Sequence, residues 1–186
     1  MLCRCLILQL GKASYPVQVG KRDARFASKD VANNNIPAST LDLSALLTSF
    51  QSHRLSLKGP VVLSGYHTIG LARCTTLSSR VYNETNIDAT FIVALRRGCP
   101  SVGGDNNLAS LDYSTTRFDT VHYQRLLQKK GLLHSDRQLY SGNRGHADIL
   151  VRYYIDDPGA FWALPNLGNK SPLTSAAGKI YLSYFK

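Results

Sequence analysis

Breaker residues set the first limit on what this chain can build. Asn33-Asn34-Asn35 before Pro37, Gly59-Pro60, Gly103-Gly104-Asp105-Asn106-Asn107, Gly131 and Asp157-Pro158-Gly159 divide it into short stretches. Such clusters turn the backbone or end an element, because glycine frees φ while proline fixes it and removes a donor. Between them the apolar residues keep a helical beat. Leu43, Leu46, Leu47 and Phe50 form one apolar face after a cap at Ser39 or Thr40. Pro60 suits a first helical position, and Val61-Val62-Leu63 begins a short buried helix there. Asp88 caps a helix through Phe91, Ile92 and Leu95 to Arg97, and Gly98 stops it. Phe118 to Lys130 reads as helix with Tyr123, Leu126 and Leu127 inward, and a further helix runs from Gly145 to Ile155. Strand signals are few and no internal repeat is visible. The fold class is mainly α.

A length of 186 residues suits one domain with a core of its own. The net charge is +10 and the sequence pI is about 9.6. The basic residues are scattered, as in Lys21-Arg22, Arg96-Arg97 and Lys129-Lys130. No basic helix stripe, zinc-finger spacing or RNP-like aromatic motif accompanies them, which argues against nucleic acid. What remains is a solvated basic surface or attachment to an anionic matrix such as acidic polysaccharide. No apolar run is long enough to cross a bilayer, so the reading is a soluble protein without a membrane partner. Met1 to Leu10 holds only a short apolar run with one Arg and no small-residue cleavage site, and is not read as a signal peptide. The cysteines Cys3, Cys5, Cys74 and Cys99 form no C-x-x-C pair, which argues against structural zinc. The sequons Asn83-Glu84-Thr85 and Asn169-Lys170-Ser171 fit a secreted chain.

Five histidines are present: His53, His67, His122, His134 and His146. A histidine taken alone is most often a surface or hydrogen-bonded structural residue. His67 departs from that because of its setting, Val61-Val62-Leu63-Ser64-Gly65-Tyr66-His67-Thr68-Ile69-Gly70. An apolar helix there delivers an imidazole beside small residues, where a flat ligand could approach closely.

That segment resembles the proximal haem-ligand motif of plant secretory (class III) peroxidases, roughly Leu-Ser-Gly-Ala-His-Thr-Ile-Gly. Tyr66 replaces the usual small residue, and its ring either crowds the haem face or turns away. The stretches Val17 to Arg25, Tyr82 to Asp88, Gly103 to Leu108 and Gly131 to Asp136 resemble further family segments in the family's order. The resemblance covers residues 15–161 and returns at Gly168 to Lys179. It implies an unmatched segment 1–14 and a partial haem-peroxidase domain over 15–186, the proximal helical half of an incomplete fold with an altered C-terminal end. Cys3 and Cys5 match no family cysteine.

The resemblance also implies roles. His67 would be the axial ligand of haem b iron through one ring nitrogen. Asp136 would accept a hydrogen bond from the other, fixing the tautomer and strengthening the imidazole as a donor. The plainer reading of Asp136 is a helix N-cap, and the two can coexist. Thr68, Asp112, Thr115 and Asp119 resemble the family's proximal calcium site, a set of oxygen ligands that calcium prefers. The spacing from Asp112 to Asp119 is one residue shorter than the family pattern and the usual Pro after the Thr is missing; Thr116 could replace Thr115, and a polar turn is the plain alternative. Cys74 and Cys99 match the family's proximal disulfide, and Pro37 the proline whose carbonyl meets aromatic substrates. The other four histidines match no catalytic position and are read as structural.

The implied activity is oxidation of phenolic donors by hydrogen peroxide, with a part in oxidative stress, in a chain secreted to wall or vacuole. The family's distal stretch, Arg-x-x-Phe-His-Asp-Cys, does not occur in the sequence, and no His precedes His53. Its histidine shuttles a proton and its arginine stabilises developing charge. Without them a haem- or calcium-binding remnant lacking catalysis is the first alternative, and a basic wall-binding protein the second.

Overall fold

A computed structural model describes residues 26–53, 55–113 and 115–162. The expectations for segment 1–14, for Cys3 and Cys5, for the loop before Phe26, and for the tail with its second sequon lie outside the described residues.

Helix α1 spans Lys29–Asn35. The asparagine triplet, expected as a turn, forms its last turn instead. The reason is local: Asn35 Nδ2 donates to the Val31 carbonyl at 2.7 Å, near the helix end where carbonyls lack partners. Helix α2 spans Leu43–Ser52 and buries Leu46 and Phe50. Its N-cap is Asp42, not Ser39 or Thr40, and the Asp42 carbonyl accepts the first helical bond from Leu46 at 2.9 Å. Helix α3, Lys58–Ser64, begins two residues before Pro60. Proline is tolerated there because a first-turn nitrogen has no helical partner to lose.

A 3-10 turn, Gly65–Thr68, continues α3. Strand β1, Leu71–Arg73, pairs antiparallel with β2, Leu108–Ser110, in the register Leu71 to Ser110. Between the strands lie helices α4, Ser78–Asn83, and α5, Ala89–Gly98. Asp88 caps α5 as read, its carboxylate accepting from the Phe91 N–H at 2.9 Å. Helix α6 is Val121–Leu127, shorter than the Phe118 to Lys130 expected. Asp119 receives both the Val121 N–H and the Thr68 hydroxyl, so the helix starts only after it. At the other end Lys129 reverses the chain at φ 59°. Helix α7 is His134–Gln138 and α8 is His146–Asp156. Asp157-Pro158-Gly159 ends α8 as read, and Pro158 then opens a short α9, Pro158–Trp162. Among the described residues no helix is long and apolar enough to cross a membrane.

Two apolar clusters hold these elements. The larger joins Phe50, Val61, Val62, Tyr123, Leu126, Val151, Tyr154 and Phe161. The smaller joins Leu77, Val81, Leu95, Leu111, Leu132 and Leu133 around Cys74 and Cys99. Each fully buried large apolar side chain adds about 1.5–3 kcal/mol. Cys74 and Cys99 form a disulfide across a separation of 25 residues, which adds about 3 kcal/mol by restricting the unfolded chain. Buried polar residues (Ser64, His67, Thr68, Asp112 and His122) adjoin members of the two clusters in the chain, and Asp136 lies three residues from a member of each.

His134 closes the surface above them. Its Nδ1 lies 2.7 Å from Glu84 Oε1 and its Nε2 2.9 Å from Asp42 Oδ1. Partial burial opposes a positive ring, but the Asp42 and Glu84 carboxylates together outweigh it and raise its pKa. A raised folded pKa means that protonated His134 stabilises the fold below the unfolded value of about 6.5, and that this is lost as pH rises through the folded value. His134→Gln should therefore lower the urea midpoint at about pH 6 and have a shrinking effect toward about pH 9. A pH-independent difference between the two proteins would contradict the clasp.

Candidate functional site

Helix α3 sends its apolar residues into the larger cluster and ends at the 3-10 turn that carries Gly65, Tyr66, His67 and Thr68. Gly65 has an ordinary φ of −57°, so its requirement is space. A Cβ there would overlap the Tyr123 hydroxyl and the Phe161 ring. The Tyr66 ring packs on Phe118 and Phe161, at centroid distances of 5.0 and 5.7 Å.

His67 is buried, and its Nδ1 lies 2.8 and 3.0 Å from the two carboxylate oxygens of Asp136. Asp136 is the third residue of α7, whose N-cap is Leu133, so the N-cap reading does not hold. Its carboxylate is turned inward onto His67 and onto the Ser64 hydroxyl at 2.6 Å. Burial alone would raise the Asp136 pKa. The charge and hydrogen bond of His67, then His122 and Ser64, outweigh it and hold the carboxyl below its usual range. A carboxylate only accepts, so His67 carries its proton on Nδ1, and a metal ligated by this ring would take Nε2.

A second group forms around the neighbouring Thr68. Its hydroxyl lies 2.9 Å from Asp119 Oδ1 and 3.3 Å from Asp112 Oδ2. The Thr115 carbonyl accepts from the Gly70 N–H at 3.3 Å, which ties the same loop to the start of β1. Thus Thr68, Asp112 and Asp119 meet through side chains, while Thr115 is tied by its main chain to Gly70, two residues after Thr68. Burial, helped by the Asp119 charge, pushes the Asp112 pKa up to about 6, against the Tyr113 N–H, Arg125 and Thr68. Arg125 is itself buried, with Nη1 3.5 Å from Asp112 Oδ1 and its guanidinium over the Tyr113 ring at 4.4 Å. Two carboxylates and a hydroxyl make an all-oxygen set, the chemistry of a hard cation. No group of three or more His, Cys, Asp or Glu gathers as a metal cluster among the described residues.

Pro37 is buried ahead of α2. The Ser39 carbonyl two residues on accepts from the Ser135 N–H at 2.9 Å, so this segment lies against the helix that carries Asp136.

The family model for peroxidases, described as "Peroxidase", matches residues 2–157. The chain is 48% identical over 174 residues to Peroxidase RIP1 of Medicago truncatula, covering 91% of this chain and 54% of that relative. The chain belongs to the peroxidase family. It is also 45% identical over 182 residues to Peroxidase 4 of Vitis vinifera (94% of this chain, 56% of that relative) and 45% identical to Peroxidase P7 of Brassica rapa subsp. rapa (94% and 61%). The chain spans about half the length of the curated relatives it matches.

Two residues of the site in this peroxidase-family chain escape sequence reasoning. His122 is almost fully enclosed, with Nε2 2.9 Å from the Ser64 hydroxyl. Its one sequence signal is position: Phe118, His122 and Leu126 recur at helical spacing, and both outer members are apolar. Ser64 sits within the His67 segment, where a lone serine carries no signal of its own.

The crowding at Gly65 gives a test of the architecture. Gly65→Ala should lower folding stability by about 1–3 kcal/mol through overpacking. Urea denaturation measures this, and an unchanged midpoint would mean that the turn has room the contacts deny.

Proposed function

We propose that this chain provides the proximal side of a haem peroxidase, with His67 as axial ligand of haem b iron and Thr68, Asp112, Thr115 and Asp119 as a calcium site. One observation carries the reading: the enclosed imidazole of His67 is held by an enclosed carboxylate at 2.8 Å. That pairing commits Nδ1, aims Nε2 as the ligating atom and raises its donor strength.

When bound, the haem supplies the redox exchange with hydrogen peroxide. The chain's own residues orient and brace. Asp136 keeps the proton on His67 Nδ1. Thr68, next in sequence, anchors the ligand turn to the loop with Asp112 and Asp119. Calcium on those oxygens would offset two carboxylates that Arg125 balances only in part. Pro37, on the segment that touches α7, would offer its carbonyl to phenolic donors at the ligand's edge. The Cys74–Cys99 disulfide suits an oxidising compartment, in keeping with secretion to wall or vacuole and with removal of hydrogen peroxide under oxidative stress.

Haem titration tests this. The chain should give a Soret band typical of histidine ligation, lost or shifted in His67→Ala, and Asp136→Asn should weaken haem binding by about 10–100-fold. A band indifferent to His67→Ala would overturn the ligation. In a peroxide-driven phenol assay the chain alone should turn over no faster than free haem, because the Arg-x-x-Phe-His-Asp-Cys stretch does not occur in its sequence. Turnover well above free haem, with the Soret band intact, would show that the chain is catalytic by itself.

Calcium binding should depend on pH through Asp112. Its folded pKa of about 6 exceeds the ordinary 3.8, so proton binding favours the cation-free fold at low pH, and that contribution fades as pH rises through about 6. Calcium needs the carboxylate. Its addition should therefore raise Tm more at about pH 7.5 than at about pH 5, and equal increments would remove Asp112 from the site.

A further inference from the structure

The Ser64 hydroxyl sits between two side chains that face it from different helices. Its oxygen is 2.6 Å from Asp136 Oδ1 and 2.9 Å from His122 Nε2. His122, Ser64 and Asp136 are 1%, 7% and 2% exposed, so water does not compete for these bonds. Donor logic fixes their direction. The carboxylate only accepts, so Ser64 O–H donates to Asp136. With its hydrogen committed, the Ser64 oxygen accepts from His122 Nε2–H. Burial pushes the His122 pKa down to about 4, which leaves a neutral ring in that tautomer at pH 7. Asp136 Oδ1 also takes the His67 Nδ1–H at 2.8 Å. One carboxylate oxygen is thus shared by two donors, and one of those donors is itself polarised by a third group.

We propose that His122 and Ser64 are positioning residues for the His67–Asp136 pair: the bonds from His122 Nε2–H to Ser64 Oγ and from Ser64 O–H to Asp136 Oδ1 set how strongly Asp136 draws on the His67 proton, and through it how strongly His67 donates to iron. The effect on iron rests on the haem reading above; the hydrogen-bond chain does not. Each bond that Asp136 accepts from Ser64 withdraws electron density from the carboxylate and weakens its pull on Nδ1–H. The His122 donor strengthens the Ser64 bond in turn, as bonds in a buried chain polarise one another. Without Ser64, Asp136 would turn its charge onto His67 alone. The imidazole would gain anionic character and favour ferric over ferrous iron. The His122 ring also meets the His67 ring edge-on, at a centroid distance of 5.9 Å, which keeps the two aligned.

The test uses the full chain in two states. In the ligand-free chain, proton and nitrogen NMR should show a protonated Nε2 on His122. Ser64→Ala should move the His67 Nδ1–H resonance downfield. His122→Phe should move it less in the same direction, and His122→Gln, which keeps an N–H donor, should restore it. In the haem-loaded chain, Ser64→Ala should shift the ferric–ferrous equilibrium about three- to tenfold toward ferric iron, the worth of one hydrogen bond, and raise the iron–histidine stretching frequency. A His67 resonance that stays put in a folded Ser64→Ala variant overturns the proposal. Should Ser64→Ala not fold, identical behaviour of His122→Phe and His122→Gln overturns it, since only a packing role treats them alike. NMR shifts in a chain that yields no Soret band would sustain the hydrogen-bond chain and sink the haem reading. A Soret band with both readouts unmoved would do the reverse.

Discussion

The hydrogen bond from His67 to Asp136 joins residues 69 positions apart and commits a charge to the interior. Burying a carboxylate costs several kcal/mol, and the cost is offset only by donors in good geometry. Those donors come from the 3-10 turn and from α3, while the carboxylate comes from α7. Everything that keeps α7 against the turn therefore serves the pair. The Ser135 N–H ties α7 to the Ser39 carbonyl. Arg80, itself buried, grips the Gly131 carbonyl with Nε and Nη2 at 3.1 and 2.9 Å just before the helix begins. Leu132 and Leu133 sink into the smaller cluster beside the disulfide.

Local pattern reveals what local forces decide. The face of α2, the extent of α8, the Asp88 cap and the break at Pro158 were all legible, because each depends on residues within one or two turns. His67, Asp136 and the cysteine pair were legible only through whole motifs resembling those of a family. What stayed hidden depends on partners far away. His122 is inward because Ser64, 58 residues earlier, receives it. Helix α6 loses its first turn because Asp119 is drawn to Thr68, 51 residues away. Asp136 looked like a cap because an acidic residue near a helix start usually is one; its carboxylate instead answers an imidazole from another element.

The charge balance changes meaning in three dimensions. The +10 of the sequence suggested a surface available to polyanions. Yet Arg80, Arg125 and Arg137 are buried. Arg80 pairs with Glu84, Arg125 with Asp112, and Arg137 bonds the Asn86 side chain. Burial lowers the pKa of all three guanidinium groups without neutralising them. Part of the positive balance is thus internal counter-charge, spent on holding loops and helices together rather than on a partner.

The 3-10 turn at Gly65–Thr68 has a geometric consequence. Such a turn advances about 120° per residue, so adjacent side chains diverge sharply. His67 points to Asp136, while Thr68 points to Asp112 and Asp119. The two contacts pin the turn like a shaft between two bearings. Torque applied at the oxygen-lined corner is transmitted to the imidazole plane, because neither side chain can swing without the backbone twisting under the other. A change at the oxygen-lined corner would thus reach the imidazole by rotation of the turn rather than by displacement.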